Sequence, residues 1–108
     1  MNTMYMLLCA DGSLYTGWTN DLEKRLNAHA AGTASRYTRS RLPVRLLLHI
    51  ECEASSQARR LEVLMKRLTR AQKKALLIDE ERLHTWLDST TDLPCVVHLD
   101  HGLLRDLQ

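Results

Sequence analysis

The chain has 108 residues, of which 44% are hydrophobic and 26% are charged, so it has the size and composition of a single ordinary soluble domain. No apolar run approaches the roughly 18 residues of a membrane span, and the N-terminus lacks a secretory signal, so we expect a cytoplasmic protein with no membrane partner. The net charge of +2 hides a basic stretch over 1–78 and an acidic one over 79–108, which favours an anionic partner such as nucleic acid, although a solvated charged surface has the same composition.

Residues 4–18 contain two apolar or aromatic runs separated by Asp11 and Gly12. This dipeptide supplies the positive φ of a two-residue turn, so the pattern predicts a β-hairpin. Tyr5 and Tyr15 would then be neighbours across the two strands, where two phenols could share one site. Taken singly, each tyrosine is more often a residue that stabilises the strand or the core.

Asn20 and Glu23 are spaced as a capping box, and helical periodicity then predicts a first helix over about 21–31. Arg25 and His29 are four residues apart, so their side chains lie on one side of this helix. A fixed cation beside a titratable imidazole can stabilise phosphoryl charge and move protons. The alternative is a half-buried packing histidine and a solvated arginine.

Residues 32–43 lack apolar periodicity and predict a loop. The loop carries three arginines around one tyrosine: Arg36, Tyr37, Arg39 and Arg41. Because arginines bind phosphates and a tyrosine ring can stack on a base, we assign these four residues, with Lys66, to nucleic-acid binding. A loop that is merely soluble is the alternative.

The alternation over 44–51 predicts a third strand, and an amphipathic helix follows from about Ser55, with another after Thr69. Glu62 lies at the edge of the apolar stripe and faces the sheet, where its carboxylate could hold a hard divalent cation that keeps most of its waters. An ordinary surface ion pair with Lys66, four residues later, is the alternative.

The segment from Asp79 contains one short helix and then an irregular acidic tail. Cys95, His98 and His101 have ligand-like spacing in this tail. No fourth ligand follows them, so we expect no metal there.

The order hairpin, helix, strand, helix, helix predicts an α+β fold, in which helices flank a small three-stranded antiparallel sheet. We divide the chain into a body, residues 1–78, and a C-terminal extension, residues 79–108. The extension is expected to be helical and acidic, and either packed on the body or partly flexible.

Taken together, these residues resemble the GIY-YIG nuclease superfamily, and specifically its branch of small stand-alone bacterial proteins. Thr3-Met4-Tyr5 stands for the first motif and Tyr15-Thr16-Gly17 for the second, and the similarity covers about residues 4–78. The signal rests on the order and spacing of five residues: Tyr5, Tyr15, Arg25, His29 and Glu62.

The resemblance implies a metal-dependent endonuclease that hydrolyses nucleic-acid phosphodiester bonds with one Mg²⁺ or Mn²⁺ ion on Glu62. Tyr5 would be the general base, Tyr15 and His29 would orient water or relay the proton, and Arg25 would bind the equatorial phosphate oxygens. DNA is favoured over RNA. One alternative is a catalytically weak or inactive nucleic-acid-binding module with the same fold; another is a structural adaptor whose extension binds a protein partner.

Overall fold

The computed structural model describes residues 1–107, which form one four-stranded antiparallel sheet in the order β2-β1-β3-β4. The strands are β1 Asn2–Leu8, β2 Leu14–Thr19, β3 Arg45–Cys52 and β4 Cys95–Leu99. The helices are α1 Leu22–Ala30, α2 Arg36–Arg39, α3 Ser55–Lys66, α4 Arg70–Leu77, α5 Glu80–Thr90 and α6 His101–Leu104, followed by a 3₁₀ turn, Arg105–Leu107. The predicted α+β class is confirmed, whereas the predicted number of strands is wrong by one.

The predicted hairpin joins β1 to β2 through the turn at residues 9–13. Gly12 has a φ of 83°, which a residue with a side chain rarely adopts. The Asp11 carboxylate accepts hydrogen bonds from the Ser13 backbone N–H at 3.0 Å and from the Ser13 hydroxyl at 2.6 Å. The connection spans five residues where the sequence predicted two, and it is also held from outside, since Arg41 and Arg70 hydrogen-bond to Asp11 and to the Gly12 carbonyl.

The fourth strand lies in the segment that we expected to be an irregular tail. It pairs antiparallel with β3, so that His98 lies opposite His49. Val97 and Leu99 of β4 pack against the core. A strand of only five residues is stabilised by this pairing and packing, and neither is visible in its own sequence.

A short helix, α2, also replaces part of the loop predicted over 32–43. The Ser35 side chain caps it by accepting a hydrogen bond from the backbone N–H of Thr38. Four residues are too few for apolar periodicity to be read, which explains the wrong prediction.

One hydrophobic core draws on both the body and the C-terminal extension. The body contributes β1, β3 and α3 residues such as Met4, Ile50 and Leu61, all fully buried. The extension contributes five buried leucines: Leu83, Leu87, Leu103, Leu104 and Leu107. Burying each such side chain stabilises the fold by roughly 1.5–3 kcal/mol, so the extension is a large part of the packing.

The two faces of the sheet have different roles. Met4 and Ile50 point into the core, and their alternating neighbours point to the opposite face, which we call the site face. Its residues include Tyr5 and, paired with it on the adjacent strands, Gly17 and His49. This alternation places the polar and aromatic groups of three strands on one surface.

No helix among residues 1–107 combines the length and the apolar character that crossing a membrane would require.

Candidate active site

A chain of hydrogen bonds runs from β1 through α1 to α2. The Tyr5 hydroxyl lies 2.8 Å from Nε2 of His29, and Nδ1 of His29 lies 2.8 Å from the Thr38 hydroxyl. That hydroxyl also donates to the Ser35 carbonyl at 3.4 Å. Because the Thr38 proton is used in this way, we assign the proton of His29 to Nδ1, which leaves Nε2 as the acceptor for Tyr5. Tyr5 therefore faces an unprotonated imidazole nitrogen.

Helix α1 positions His29 and Arg25 together. The helix begins after Asp21, whose carboxylate accepts a hydrogen bond from the Lys24 backbone N–H at 3.1 Å. The spacing of the sequence predicted Asn20 as the N-cap, but the N-cap in the structure is Asp21. One turn before His29, Nε of Arg25 donates to the Tyr5 oxygen at 3.4 Å. Arg25, Tyr5 and His29 consequently meet at one phenol oxygen.

The electrostatics of this trio favour neutral groups at Tyr5 and His29. Burial raises the pKa of Tyr5, and the hydrogen bond from Arg25 opposes that shift in part. Burial lowers the pKa of His29, and the nearby charge of Arg25 lowers it further. At neutral pH the site therefore holds a protonated phenol beside a neutral imidazole.

Tyr15 lies on β2, diagonally across from Tyr5. Its ring centroid is 6.4 Å from that of Tyr5 and 5.2 Å from that of His29. Both phenols also lie close to the Arg25 guanidinium, since the hydrogen bond to Tyr5 and, less strongly, the proximity of Tyr15 raise the pKa of Arg25. The half-buried Tyr15 is the more accessible of the two phenols.

Gly17 makes room for the ring of Tyr5. A Cβ atom at position 17 would lie 2.5 Å from the Tyr5 hydroxyl oxygen and 2.6 Å from Cζ. Such distances are well inside van der Waals contact, so no side chain fits without moving the phenol. The glycine of the second motif thus has a packing role that the sequence alone did not reveal.

Glu62 lies on α3 and is half-buried. Its side chain is 19% exposed, and the carboxylate lies 3.7 Å from the ammonium of Lys66, as the alternative interpretation of this pair required. The negative charge of Glu62 also contributes to the raised pKa of Tyr5. A half-buried carboxylate is the kind of hard oxygen donor that binds a divalent ion, and here it is paired with Lys66, which such an ion would have to displace.

Four of the five residues assigned to nucleic-acid binding lie on or next to α2, whereas Lys66 is the last residue of α3. Arg36, Arg39 and Tyr37 are exposed to different degrees, and the Tyr37 ring stacks on Tyr15 with the centroids 6.0 Å apart. The guanidinium of Arg41 lies 3.8 Å above the Tyr37 ring, while its Nε is hydrogen-bonded to Asp11 at 2.9 Å. Arg41 therefore supports Tyr37, and Arg36 and Arg39 remain accessible to solvent.

Sequence reasoning missed two polar residues on this side of the molecule. Thr38 is fully buried and hydrogen-bonded to His29. Nothing in the sequence distinguishes it from the other serines and threonines of this segment. His49 lies beside Tyr5 in the sheet, which depends on a pairing register that the sequence does not show. Cys95, His98 and His101 do not meet, because Cys95 packs toward the core and His101 pairs with Glu80.

Comparisons with known proteins identify the family of the chain. Residues 1–75 match the family model described as the GIY-YIG catalytic domain. The UPF0213 protein CPE1444 of Clostridium perfringens is 49% identical over 77 residues, or 71% of this chain and 83% of the relative. A UPF0213 protein of Bacillus pumilus is 51% identical over 80 residues, or 73% of this chain and 80% of the relative.

The solution NMR structure of the UPF0213 protein BH0048 from Bacillus halodurans is 33% identical and matches 86% of this chain and 98% of that one, with a TM-score of 0.48. The resemblance predicted from the motifs is confirmed by the family match and by the sequence relatives. This chain belongs to the GIY-YIG catalytic-domain family, and its relatives are small bacterial UPF0213 proteins.

Proposed function

We propose that this protein is a metal-dependent endonuclease that hydrolyses nucleic-acid phosphodiester bonds, with DNA as the preferred substrate. Membership of a nuclease family supports a nuclease-type function in general. The observation that carries the more specific proposal is the Tyr5 oxygen, which is held between Nε of Arg25 and Nε2 of His29.

The hydrogen-bond chain provides a path for the proton of the attacking water. As water attacks phosphorus, its proton passes to the Tyr5 oxygen while the proton of Tyr5 passes to Nε2 of His29. No free phenolate has to accumulate, which matters because burial raises the pKa of Tyr5. Arg25 stabilises the negative charge that develops on the phenol and the phosphate, and Tyr15 orients the water.

Glu62 is the residue that would hold the metal, Mg²⁺ or Mn²⁺. The single carboxylate fits an ion that keeps several waters, and Lys66, whose side chain is 51% exposed, can turn away to make room for it. When bound, such an ion neutralises charge on the leaving oxygen. Its charge would also offset the effect of the Glu62 carboxylate on the pKa of Tyr5.

The substrate would lie against α2 and extend to Lys66 at the end of α3. Arg36 and Arg39 would bind phosphates, and the exposed ring of Tyr37, held by Arg41, would stack on a base. Lys66 would add a further phosphate contact. The full burial of Tyr5 favours the second candidate, a nucleic-acid-binding module without useful catalysis, because a buried phenol must be uncovered to meet water.

Cleavage assays separate the two candidates. Labelled single-stranded, duplex and branched DNA, with RNA counterparts, would be incubated with Mg²⁺, with Mn²⁺ and with EDTA. An endonuclease requires metal, loses cleavage in Glu62→Gln and keeps it in Glu80→Gln, a matched change of an exposed carboxylate on α5. Tight binding without cleavage in any metal would overturn the enzyme and support the module.

Gly17→Ala provides a second test of the site. The added methyl must displace the Tyr5 ring, so cleavage should fall by at least about 100-fold, the usual contribution of a general base. Gly102→Ala is the control, since its Cβ would meet only the Asp100 side chain, at 3.4 Å. Equal activity of the two alanine variants would exclude Tyr5 from the reaction.

A further inference from the structure

A second polar cluster lies on the site face, on β3 and β4. His49 and Glu51 come from β3, and His98 comes from β4. The imidazole rings of His49 and His98 stack with their centroids 4.3 Å apart, and Nε2 of His98 lies 3.4 Å from a Glu51 carboxylate oxygen. One ligand atom from each of the three residues lies within 4.8 Å of the other two.

The hydrogen bonding of His49 is incomplete. Its Nδ1 is buried and has no hydrogen-bond partner within residues 1–107. A buried polar atom without a hydrogen bond lowers the stability of the fold by about 1–3 kcal/mol. A histidine at this position therefore calls for a ligand or a functional role that offsets the loss. The nuclease proposal gives it no task.

We propose that His49, Glu51 and His98 form a second metal site, which binds a transition-metal dication of the Zn²⁺ type. Two imidazoles and one carboxylate are a donor set for Zn²⁺ and its neighbours, whereas Mg²⁺ prefers oxygen ligands alone. Three protein ligands leave the fourth tetrahedral position to water. The site is distinct from Glu62 in both place and chemistry.

The geometry requires only local adjustment. Zn²⁺ bonds of about 2.0–2.1 Å place tetrahedral ligand atoms roughly 3.3 Å apart. The Glu51–His98 pair is already at 3.4 Å, and the remaining separations must close by at most about 1.5 Å. The side chains of His98 and Glu51 are 44% and 35% exposed, so they can rotate toward a bound ion without moving the core.

Solvent can reach the cluster along one side. A surface depression of about 430 Å³ is lined by His49, His98, Asp100 and three leucines, Leu46, Leu47 and Leu99. It provides an entry path for the ion and space for a bound water. Because the ligands come from two strands, the ion would link the C-terminal extension to the body.

The site can be tested with metal alone. The full chain would be stripped with EDTA, dialysed, and titrated with Co²⁺ and with Zn²⁺. We expect one equivalent of Co²⁺ to produce the visible absorption of tetrahedral coordination, and Zn²⁺ to raise the melting temperature. His98→Ala, at an exposed position, should weaken binding by at least about tenfold.

Two variants serve as controls. His101→Ala removes an exposed histidine outside the cluster, and Glu62→Gln removes the carboxylate of the proposed catalytic metal; both should bind Co²⁺ as the wild type does. If His98→Ala binds unchanged, or if Glu62→Gln abolishes the signal, the ion is bound elsewhere and the proposal is wrong. An absence of saturable binding would also overturn it.

Discussion

His29 has a different partner at each ring nitrogen, and these partners decide what a change of protonation does. A proton added to Nε2 would compete with the hydrogen bond from Tyr5, and the new charge would lie next to Arg25. The pKa of His29 is accordingly lowered in the folded protein, mainly by burial. Folding therefore favours the neutral form of this residue.

Stability should consequently depend on pH through His29. Below about pH 6.5, the ordinary value for histidine, the unfolded chain binds more protons at this residue than the folded chain does. The contribution of neutral His29 is complete above that pH and is lost as the pH falls through the lowered folded value. We expect the free energy of unfolding to fall between about pH 7.5 and about pH 5.5, and to fall less in His29→Gln.

Urea unfolding of both proteins at the two pH values measures this difference. Glutamine can still accept from Tyr5 and donate toward Thr38, but it does not titrate. His49, whose pKa is also lowered by burial, remains in both proteins, so its effect cancels. His84→Gln, an exposed change on α5, is the control and should behave as the wild type. Parallel losses in all three proteins would contradict the assignment.

At the scale of elements, the sequence predicts those that are held by local signals. The hairpin follows from Asp11-Gly12 and the apolar runs on either side of it, and α1 follows from its helical spacing. The sequence cannot show α2, which is too short for a period, or β4, which depends on the edge of β3. The cluster of His49 with His98 could not be predicted either, because only the register between β3 and β4 brings the two residues together.

Helix α2 is also the element whose role in binding can be measured most directly. Arg36 and Arg39 are accessible, whereas Arg41 is held by Asp11. Removing one phosphate contact flattens the slope of log K against log salt by about 0.7–0.9, so Arg36→Ala/Arg39→Ala should flatten it by roughly 1.5. Replacing Arg41 as well should weaken binding mainly because the Tyr37 ring loses the guanidinium that lies against it.

Fluorescence anisotropy with labelled DNA at several salt concentrations gives these slopes. Arg82→Ala/Arg105→Ala removes the same charge from exposed positions in the extension, and its slope should stay close to that of the wild type. If the two double variants have the same slope, α2 is not part of the interface.

At the scale of the whole molecule, the body and the extension share one core. A chain that ends at Ile78 lacks five buried leucines and the fourth strand. At roughly 1.5–3 kcal/mol for each leucine, the five together contribute about 7.5–15 kcal/mol, which is comparable with the usual net stability of a domain, about 5–15 kcal/mol. We expect this fragment to lose its cooperative thermal transition, although every proposed catalytic residue is retained.

Circular dichroism during heating tests this expectation. A matched control is a full chain with Leu93→Ser, since Leu93 is an exposed apolar residue of the extension and its replacement should leave the transition in place. A fragment of residues 1–78 that melts cooperatively and cleaves as well as the full chain would show that the body folds alone.

The position of β4 also affects how copies of this chain behave toward one another. The family match ends at residue 75, and β4 pairs with β3 from beyond that limit. Without β4, the outer side of β3 would present a row of unpaired backbone N–H and C=O groups, which can pair with the same row of another copy. The fourth strand therefore covers an edge of β3 that could otherwise pair with another chain. A chain without β4 is expected to self-associate edge to edge as well as to unfold.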